Sequence, residues 1–428
     1  MFPNIFLDIR CRSYKIFIML WLNFLHFYQP ANADFFHIRQ ALDKSYWRLI
    51  RLLEEHPDLR FTVNISGCLL ERLLGEKETA FIDRLRFLVK KGRVELTGSA
   101  AYHGFLPLLP EAEVIRQIKT NEKILKKCFG KDFKPRGFFL PEMAYSPALS
   151  ALIKRAGYSW IILDEFAYRA STRREPDPRQ LYIDAASGLK VVFRQRDFSN
   201  AYPPDKIGSI FKNIEKATKK KNGQGKENNQ NNKEKVFITA TDAELYGLRH
   251  EDHTAEMEKI AKIKELKTMT LSKFIGSLPK PGAEKINLKP STWESSLKEI
   301  KRERPYLLWQ DKNNKIQVNL WKLAYLALAA GEKFKGDQNF YWYRWHLVRG
   351  LASCVFWWAS AHDFSRSYGP YAWSPDQIES GLEDLVRSVR SFADPKSKKI
   401  KLEAEAYYLK IKKLVWEEHW RKHWRRIV

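Results

Sequence analysis

Cysteine is scarce in this chain, and the few cysteines are scattered. The 428 residues include only Cys11, Cys68, Cys128 and Cys354, with no CxxC pair. Isolated thiols exclude a disulfide-stapled scaffold and a zinc ribbon, and they are typical of a reducing compartment, so we expect a cytoplasmic protein. A glycine-rich phosphate-binding loop is also missing, which argues against a nucleotide-binding sheet.

Long apolar runs are lacking too, apart from one near the N-terminus. Elsewhere no stretch reaches the roughly 18 apolar residues that a membrane span needs. Basic residues at 10–15 precede the run at 16–28, and the small residues at 31–33 imitate a cleavage site, as in a signal peptide. Asn23 and His26 interrupt the run, and we therefore expect that this segment is retained.

Acidic residues are outnumbered, and the formal charge is +25. Two stretches hold nearly half of it, with net charges of +5 over residues 212–235 and +7 over residues 396–426. The first has no apolar periodicity and predicts a flexible surface insertion at about 214–235, whereas the second predicts a basic helix. We interpret both as solvated surface. The alternative is a binder of nucleic acid or membrane surfaces, whose affinity would depend steeply on salt.

Seven short segments rich in β-branched and aromatic residues are typical of buried parallel strands. They are 19–25, 60–65, 94–97, 137–140, 160–163, 190–193 and 236–241. Amphipathic helical patterns fill most intervals, at 42–55, 69–91, 111–128 and 147–156. This alternation predicts an α/β fold with right-handed crossovers, here a closed or nearly closed barrel over residues 19–285. Beyond it, tryptophan-rich helical patterns predict a helical domain over residues 286–428.

Polar residues recur at the C-terminal ends of the predicted strands, where a barrel of this kind carries its active site. They are His26 and Gln29 after the first strand, His103 after the third, Glu142 and Tyr145 after the fourth, and Asp242 and Glu244 after the seventh. Ionised groups beside a core are costly unless they are paired or used. The pattern therefore indicates a functional pocket rather than a purely structural barrel.

Glu142 and Asp242 are the candidate catalytic pair. Glycoside hydrolysis with retention needs one carboxylate as nucleophile and one as acid/base, about 5–5.5 Å apart. Burial and mutual repulsion would keep the acid protonated near neutral pH. The structural alternative for Glu142 is a surface residue that caps the helix starting near Pro147. A helix predicted near residue 253 starts too far away for Asp242 to cap it.

Histidines and aromatic residues near these strand ends are candidates for sugar binding. A neutral imidazole at His26 or His103 can bond a sugar hydroxyl, and the rings of Tyr145 and Trp293 can stack on a sugar face. For each of them, a place in the core is the alternative. The His-Glu-Asp-His run at 250–253 is interpreted as a loop and helix start, because adjacent residues cannot all point at one ion. We expect no metal.

Four segments of the chain resemble the sequence motifs of glycoside hydrolase family 57. They are MLWLNFLH with the following Gln29-Pro30, GRVELT at 92–97, GFFLPE at 137–142, and DAE with Gly247 at 242–247. The segments occur in the family's order and include strand ends already singled out. The resemblance extends from about residue 19 to at least residue 360.

The resemblance implies a distorted (β/α)7 barrel followed by an α-helical C-terminal domain that completes the cleft. It implies that Glu142 is the nucleophile and Asp242 the acid/base, that no cofactor is needed, and that the substrate is an α-glucan or maltooligosaccharide. It also implies that Met19 lies near the true start and that residues 1–18 are an extension. Two departures stand out. Tyr28 replaces a second histidine of the first motif, and the region of the fifth motif has no clear aspartate.

The reaction class stays open between hydrolysis and transfer. An α-amylase-like hydrolase passes the glucosyl group to water, whereas a 4-α-glucanotransferase or an α-1,4-glucan branching enzyme passes it to a sugar hydroxyl. A catalytically weak carbohydrate-binding relative is an alternative of another class, motivated by the altered fifth motif. A metal-dependent polysaccharide deacetylase is disfavoured, because an aspartate with paired histidines is not visible at the strand ends. We expect no nucleic-acid or membrane partner.

Overall fold

The computed structural model describes residues 19–200, 209, 235–253, 255–361, 364–365, 369–370 and 372–423. The predicted extension at 1–18 lies outside these residues, as does nearly all of the predicted insertion at 214–235. Along the described chain, no helix is both long and apolar enough to cross a membrane.

All seven predicted strand segments contain a strand. These strands are β1 (Met19–Phe27), β2 (Phe61–Ile65), β3 (Val94–Leu96), β4 (Gly137–Phe138), β5 (Trp160–Asp164), β7 (Lys190–Arg194) and β8 (Lys235–Asp242). The sequence pattern missed the three-residue strands β6 (Tyr182–Asp184), β9 (Leu266–Thr268) and β10 (Glu284–Ile286), and the antiparallel pair β11 (Phe364–Ser365) and β12 (Gly369–Pro370). Strands this short have too few residues to show a period of two.

The strands form two largely parallel sheets. In the first, the order is β3-β2-β1-β8, and β9 also pairs with the start of β1. In the second, the order is β10-β6-β7-β5-β4, where only the β6–β7 pair is antiparallel. The prediction of an α/β fold with a parallel sheet is confirmed. The predicted closed sheet is not seen among the residues that the structure describes.

The two sheets nevertheless contact each other at two places. On one side, the Gly98 amide donates to Gly137 O (2.9 Å), and the Phe139 amide donates to Gly98 O (2.9 Å). On the other side, the Gln195 amide donates to Ile238 O (2.9 Å). Glycine is needed at the first contact, because a Cβ on Gly98 would lie 2.2 Å from the Tyr158 hydroxyl.

Helices follow most strands, as the alternating pattern predicted. Those before β9 are Phe35–Ala41, Trp47–Glu55, Gly67–Gly75, Thr79–Lys90, Glu111–Phe129, Pro147–Arg155, Glu165–Thr172, Arg196–Ser199 and Glu256–Ala261. The later ones are Leu271–Ser277, Leu297–Lys301, Lys315–Lys333, Phe340–Gly350, Ser353–Trp357, Pro375–Arg390 and Lys398–Glu418. The predicted helix at 42–55 begins with a π-helical turn, and the one at 69–91 divides into two helices.

The C-terminal helices pack on the second sheet through one shared core. Phe138 and Leu163 of this sheet belong to the same cluster of buried residues as Trp321, Phe356 and Leu385 of the helical region. The predicted domain boundary near residue 285 falls within β10. The helical region therefore lies directly against the sheet that includes β4, the strand before Glu142.

The basic helix near the C-terminus is confirmed as Lys398–Glu418. It buries a narrow stripe of Ala404, Ile411 and Val415, and its other residues are partly or fully exposed. Acidic partners lie close to some of its charges, as in the contact of 3.3 Å between Lys412 Nζ and Glu379 Oε2. This distribution agrees with our interpretation of the segment as solvated surface.

Candidate active site

A row of three polar residues crosses the first sheet near its carboxyl end. His26 on β1 is the register partner of Asn64 on β2 and of Asp242 on β8. Residues in register on neighbouring parallel strands point to the same side of a sheet. The sheet therefore brings one predicted catalytic carboxylate and one predicted histidine together from segments more than 200 residues apart.

Glu142 lies on the tight turn that follows β4, and its carboxylate is held at both oxygens. The Trp293 indole N–H donates to Oε2 (2.9 Å), and the Ser353 hydroxyl lies 2.7 Å from Oε1. The backbone of Glu142 is left-handed, with φ 61° and ψ 14°. A non-glycine residue in this region is strained by about 1–3 kcal/mol, a cost that is typical of functional sites.

Burial raises the pKa of Glu142 to about 8, and the negative charges of Asp242 and Glu294 contribute to the rise. The donors Ser353 and Trp293 act in the opposite direction, because they favour the ionised form. The expected nucleophile therefore has a raised pKa in this structure. A protonated carboxyl cannot act as a nucleophile. The surroundings of Glu142 must therefore also accommodate its ionised form.

Asp242 ends β8, and the chain turns immediately into a short 3₁₀ segment at Ala243–Leu245. The Asp242 side chain is 23% exposed, and its Oδ2 lies 3.4 Å from the Arg249 guanidinium. This partial exposure makes the Asp242 carboxylate accessible to a substrate. The position agrees with the predicted strand-end carboxylate.

His26 and His103 form a buried, stacked pair. Their Nε2 atoms are 2.9 Å apart, and the ring of Tyr28 stacks on His103 with a centroid distance of 4.0 Å. His26 Nδ1 bonds Asn64 Oδ1 (2.8 Å), and His103 Nδ1 bonds the Ser353 hydroxyl (2.9 Å). All four ring nitrogens are engaged within the protein. A direct bond to a sugar hydroxyl, as predicted, would have to replace one of these contacts.

Both imidazoles are held in the neutral form. Burial lowers the pKa of His26 to about 4, against the opposing influence of the Asp242 charge. Burial, and then the neighbouring His26, lower the pKa of His103 well below its ordinary value. Neutral rings each carry one N–H, so their hydrogen bonds have a definite direction.

Gln29 and Glu244 contact each other behind Asp242. The Gln29 side-chain amide donates to Glu244 Oε1 (2.9 Å), and the Tyr46 hydroxyl donates to the same carboxylate. Glu244 is buried, and this burial, followed by the charge of Asp242, raises its pKa to about 7. The two predicted substrate-binding residues therefore form a support for the loop of Asp242 in this structure.

Of the two aromatic candidates, one contacts the site and the other lies in the core. Trp293 is only 9% exposed, and its indole N–H orients Glu142, a role that ring stacking did not predict. Tyr145 is fully buried, and its hydroxyl donates to Asp184 Oδ1 (2.8 Å). In this structure Tyr145 is part of the core, where its backbone pairs with Ser291, and its ring has no exposed face for a sugar.

Ser353 and Asn64 are the members of the site that sequence reasoning missed. Ser353 begins the helix Ser353–Trp357, far from the strand-end motifs, and a serine at a helix start carries no distinctive signal. Asn64 is the only amide residue in the buried strand β2, whose other residues are hydrophobic or carry a hydroxyl. A buried amide in such a strand was the signal that could have identified it.

Two other acidic residues, Asp164 and Asp252, are structural. Asp164, at the end of β5, is buried and pairs with Arg194 Nε (2.8 Å) and Arg196 (2.8 Å). Asp252, within the run at 250–253, contacts Arg48 (2.6 Å) and accepts the Glu256 amide (3.0 Å) at the next helix start. These contacts agree with the interpretation of that run as a loop and helix start.

Known proteins with similar sequences and folds place this chain in a family. The model of glycosyl hydrolase family 57 matches residues 9–287. An α-amylase of Pyrococcus horikoshii is 32% identical over 174 residues, which are 40% of this chain and 27% of that protein. The matched segment is thus a small part of the relative's own length.

Solved structures resemble the chain over most of its length. A branching enzyme of Pyrococcus horikoshii, of the family 57 type, superposes with a TM-score of 0.65 at 16% identity, covering 91% of this chain and 94% of that one. A 4-α-glucanotransferase of Thermococcus litoralis gives 0.63 at 17% identity, covering 87% of this chain and 60% of that one. At such identities the likeness shows the fold. Since the family model matches well over half of the residues, the chain belongs to glycosyl hydrolase family 57.

Proposed function

We propose that the protein is a retaining glycoside hydrolase that acts on α-glucans, with Glu142 as nucleophile and Asp242 as acid/base. The observation that carries the proposal is the relation between these two carboxylates. They come from strands of different sheets, yet they converge on the same histidine pair. Asp242 is in register with His26, and His103, which contacts His26, has its Nδ1 3.7 Å from Glu142 Oε1. The charge of Asp242 also contributes to the raised pKa of Glu142. Two carboxyl groups within mutual electrostatic reach, one held at both oxygens and one partly exposed, suit a two-step displacement.

In the first step, ionised Glu142 attacks the anomeric carbon while the glycosidic C–O bond breaks, and Asp242 gives its proton to the leaving oxygen. A glycosyl ester on Glu142 results. In the second step, Asp242 takes a proton from water, whose oxygen attacks the anomeric carbon and releases Glu142. The hydrogen bond from the Trp293 N–H to Oε2 orients the Glu142 carboxylate while one of its oxygens forms the new bond.

The same intermediate can react with a sugar hydroxyl, which makes 4-α-glucan transfer or branching the alternative. Named relatives of this chain include an amylase, a glucanotransferase and a branching enzyme. These names belong to those proteins. For this chain, analysis of the reaction products would identify whether water or a sugar hydroxyl is the acceptor.

We further propose that the two sheets are halves of a distorted seven-stranded barrel, completed by the helical region over residues 286–428. The hydrogen bonds between the sheets at Gly98 and at Gln195 support the first part. The reach of Ser353 and Trp293 from the later segment to Glu142 supports the second.

Incubation with a panel of α-glucans tests this proposal. Wild-type protein should release or redistribute glucosyl units, and product sizing with linkage analysis separates hydrolysis, transfer and branching. Glu142→Gln and Asp242→Asn should each lose activity by on the order of a thousandfold, because each removes a reacting group. Glu175→Gln, at an exposed glutamate, is the matched control and should keep full activity.

The assignment fails if Glu142→Gln turns over glucans as fast as wild type. Tight binding of maltooligosaccharides by wild-type protein without turnover would instead identify a non-catalytic carbohydrate-binding relative.

A further inference from the structure

An unbroken chain of hydrogen bonds leads from the Glu142 carboxyl into the first sheet. Its links join Glu142 Oε1 to Ser353 Oγ (2.7 Å), Ser353 Oγ to His103 Nδ1 (2.9 Å), His103 Nε2 to His26 Nε2 (2.9 Å), and His26 Nδ1 to Asn64 Oδ1 (2.8 Å). Every link has the length of a good hydrogen bond. The inner members Asn64, His26, His103 and Ser353 are all at most 2% exposed.

Only two arrangements of protons satisfy every hydrogen bond in this series. A neutral imidazole has one N–H and one lone pair, and a serine hydroxyl has one proton. If Glu142 is protonated, its O–H donates to Ser353, Ser353 donates to His103 Nδ1, and His103 Nε2–H donates to His26 Nε2. The remaining proton of His26 is then on Nδ1 and points at Asn64 Oδ1, in agreement with the observed amide orientation.

If Glu142 is ionised, every link must reverse. Ser353 donates to the carboxylate, His103 donates from Nδ1, and His26 donates from Nε2. His26 Nδ1 then needs a donor, which Asn64 supplies by turning its amide. The turned amide directs its oxygen toward the Thr97 hydroxyl, which lies 3.4 Å from the side-chain amide of Asn64 and can donate to it.

We propose that Ser353, His103, His26 and Asn64 are positioning residues that form a reversible hydrogen-bond relay, which supplies Glu142 with a matched partner in both of its protonation states. The proposal rests on the role of Glu142 in the proposed function. On ionisation, the four protons on Glu142, Ser353, His103 and His26 become three, and the lost proton passes to a base in solvent. Each imidazole gives up the proton on one ring nitrogen and takes one up on the other by exchange with solvent, so each hydrogen bond of the relay changes direction with no further net gain or loss of protons.

The second contact of the carboxyl explains why an adaptable partner is needed. The Trp293 N–H can only donate, so it suits either form at Oε2 but offers no acceptor to a protonated carboxyl. Ser353 can donate or accept, and the two imidazoles allow it to do either without leaving a buried group unpaired. An unpaired buried polar group would cost about 1–3 kcal/mol.

Other charged or titratable groups face this relay, and none of those in the described part of the chain interrupts it. Asp242 and Glu294 act on Glu142 through their charges, while Asp242 and Arg249 act on His26. The Tyr28 hydroxyl and Cys354 thiol, which are 3.3 Å apart, are kept neutral, because burial raises the pKa of each. The protonation state of Glu142 is therefore the variable to which the relay responds.

Nitrogen-15 NMR of the histidine rings in the full-length protein tests the relay directly. Below the pKa of Glu142, which is about 8, His26 should carry its proton on Nδ1 and His103 on Nε2. Above it, both rings should switch to the other nitrogen in a single step. Signals are assigned from the spectra of His26→Gln and His103→Gln. If both rings keep their tautomers across the whole titration, the relay is wrong.

Ser353→Ala and Ser353→Thr provide the second test. Loss of the hydroxyl should uncouple the rings from Glu142, so that their tautomers no longer follow pH. It should also move the acid limb of the kcat/KM profile upward by about one pH unit, since the ionised carboxylate loses a donor. Ser353→Thr keeps the hydroxyl and should restore both readouts. A merely structural serine would lower activity in Ser353→Ala without moving the limb, which would overturn the proposal.

The two proposals can fail separately. Tautomer switching in a protein that turns over no glucan supports the relay and contradicts the proposed function. Glucan turnover that depends on Glu142, with histidine tautomers that stay constant, supports the function and contradicts the relay.

Discussion

At the scale of single residues, Glu142 combines two costs in one side chain. Its backbone is left-handed, and burial, with a smaller contribution from the charges of Asp242 and Glu294, raises the pKa of its carboxyl to about 8. Neither feature helps the protein to fold, and both are typical of sites where stability is sacrificed for reactivity. The donors Trp293 and Ser353 offset part of the second cost in the ionised form.

The raised pKa predicts how stability depends on pH. Between about pH 4.5, the ordinary value for a glutamate, and about pH 8, folded Glu142 retains a proton that the unfolded chain has released. The free energy of unfolding should therefore fall as pH rises through this window. Glu142→Gln removes this term and should be more stable than wild type at pH 8.5, by about 2–4 kcal/mol. Near pH 4.5 the two proteins should unfold alike.

Urea unfolding of both proteins at pH 4.5, 6.5 and 8.5 measures this difference, with Glu175→Gln as the control for a surface glutamate. A difference between Glu142→Gln and wild type that does not change with pH would show that the carboxyl has an ordinary pKa in the folded protein.

At the scale of elements, the loop after β8 depends on one glycine. Gly247 has φ 110°, and a Cβ there would lie 2.3 Å from the Lys44 carbonyl oxygen in the π-helical turn Leu42–Tyr46. That turn also bonds the loop through the Ser45 hydroxyl, which donates to Ala243 O (2.7 Å). The position of Asp242 thus depends on a close backbone contact that only glycine allows.

Gly247→Ala should therefore destabilise the fold by about 1–3 kcal/mol and lower kcat, because relief of the clash moves the loop that carries Asp242. Thermal unfolding and glucan turnover measure the two effects. Gly276→Ala is the matched control, since a Cβ at Gly276 meets nothing within 4 Å, and it should be neutral or slightly stabilising. Equal melting temperatures for Gly247→Ala and wild type would contradict this account of the loop.

At the scale of the whole molecule, the second sheet and the C-terminal helices share a core. Phe138 and Leu163 pack in the same cluster as Trp321 and Phe356, so removal of the helical region would expose a large apolar surface. It would also remove Trp293 and Ser353, the two donors to Glu142.

A chain that ends at residue 285 should accordingly show no cooperative thermal transition, whereas the full chain should unfold in one. Calorimetry and near-ultraviolet circular dichroism measure this. A chain that ends at residue 418 keeps the core residues named above and serves as the control. If the chain ending at residue 285 melts sharply at the wild-type temperature, the two regions are independent domains.

Much of the architecture could be predicted because buried parallel strands carry a local signature. The segments at 19–25 and 236–241 are apolar, rich in β-branched and aromatic residues, and followed by polar residues, and both became long paired strands. The strand at Tyr182–Asp184 was missed, because three residues that pair by tertiary contact have no periodicity of their own. The fate of Tyr145 was likewise open, since an aromatic ring suits both a core and a sugar site.

By itself, the sequence determined which chemistry the chain can carry and at which strand ends. The catalytic candidates Glu142 and Asp242 follow hydrophobic strands, and that order is readable from local composition. Only the tertiary structure decided what surrounds them. Ser353, more than 200 residues after Glu142, reaches its carboxyl, and β-sheet register sets Asn64 beside His26. Protonation in a buried site depends on such neighbours, because burial and hydrogen bonds shift a pKa through distance in space rather than distance along the chain.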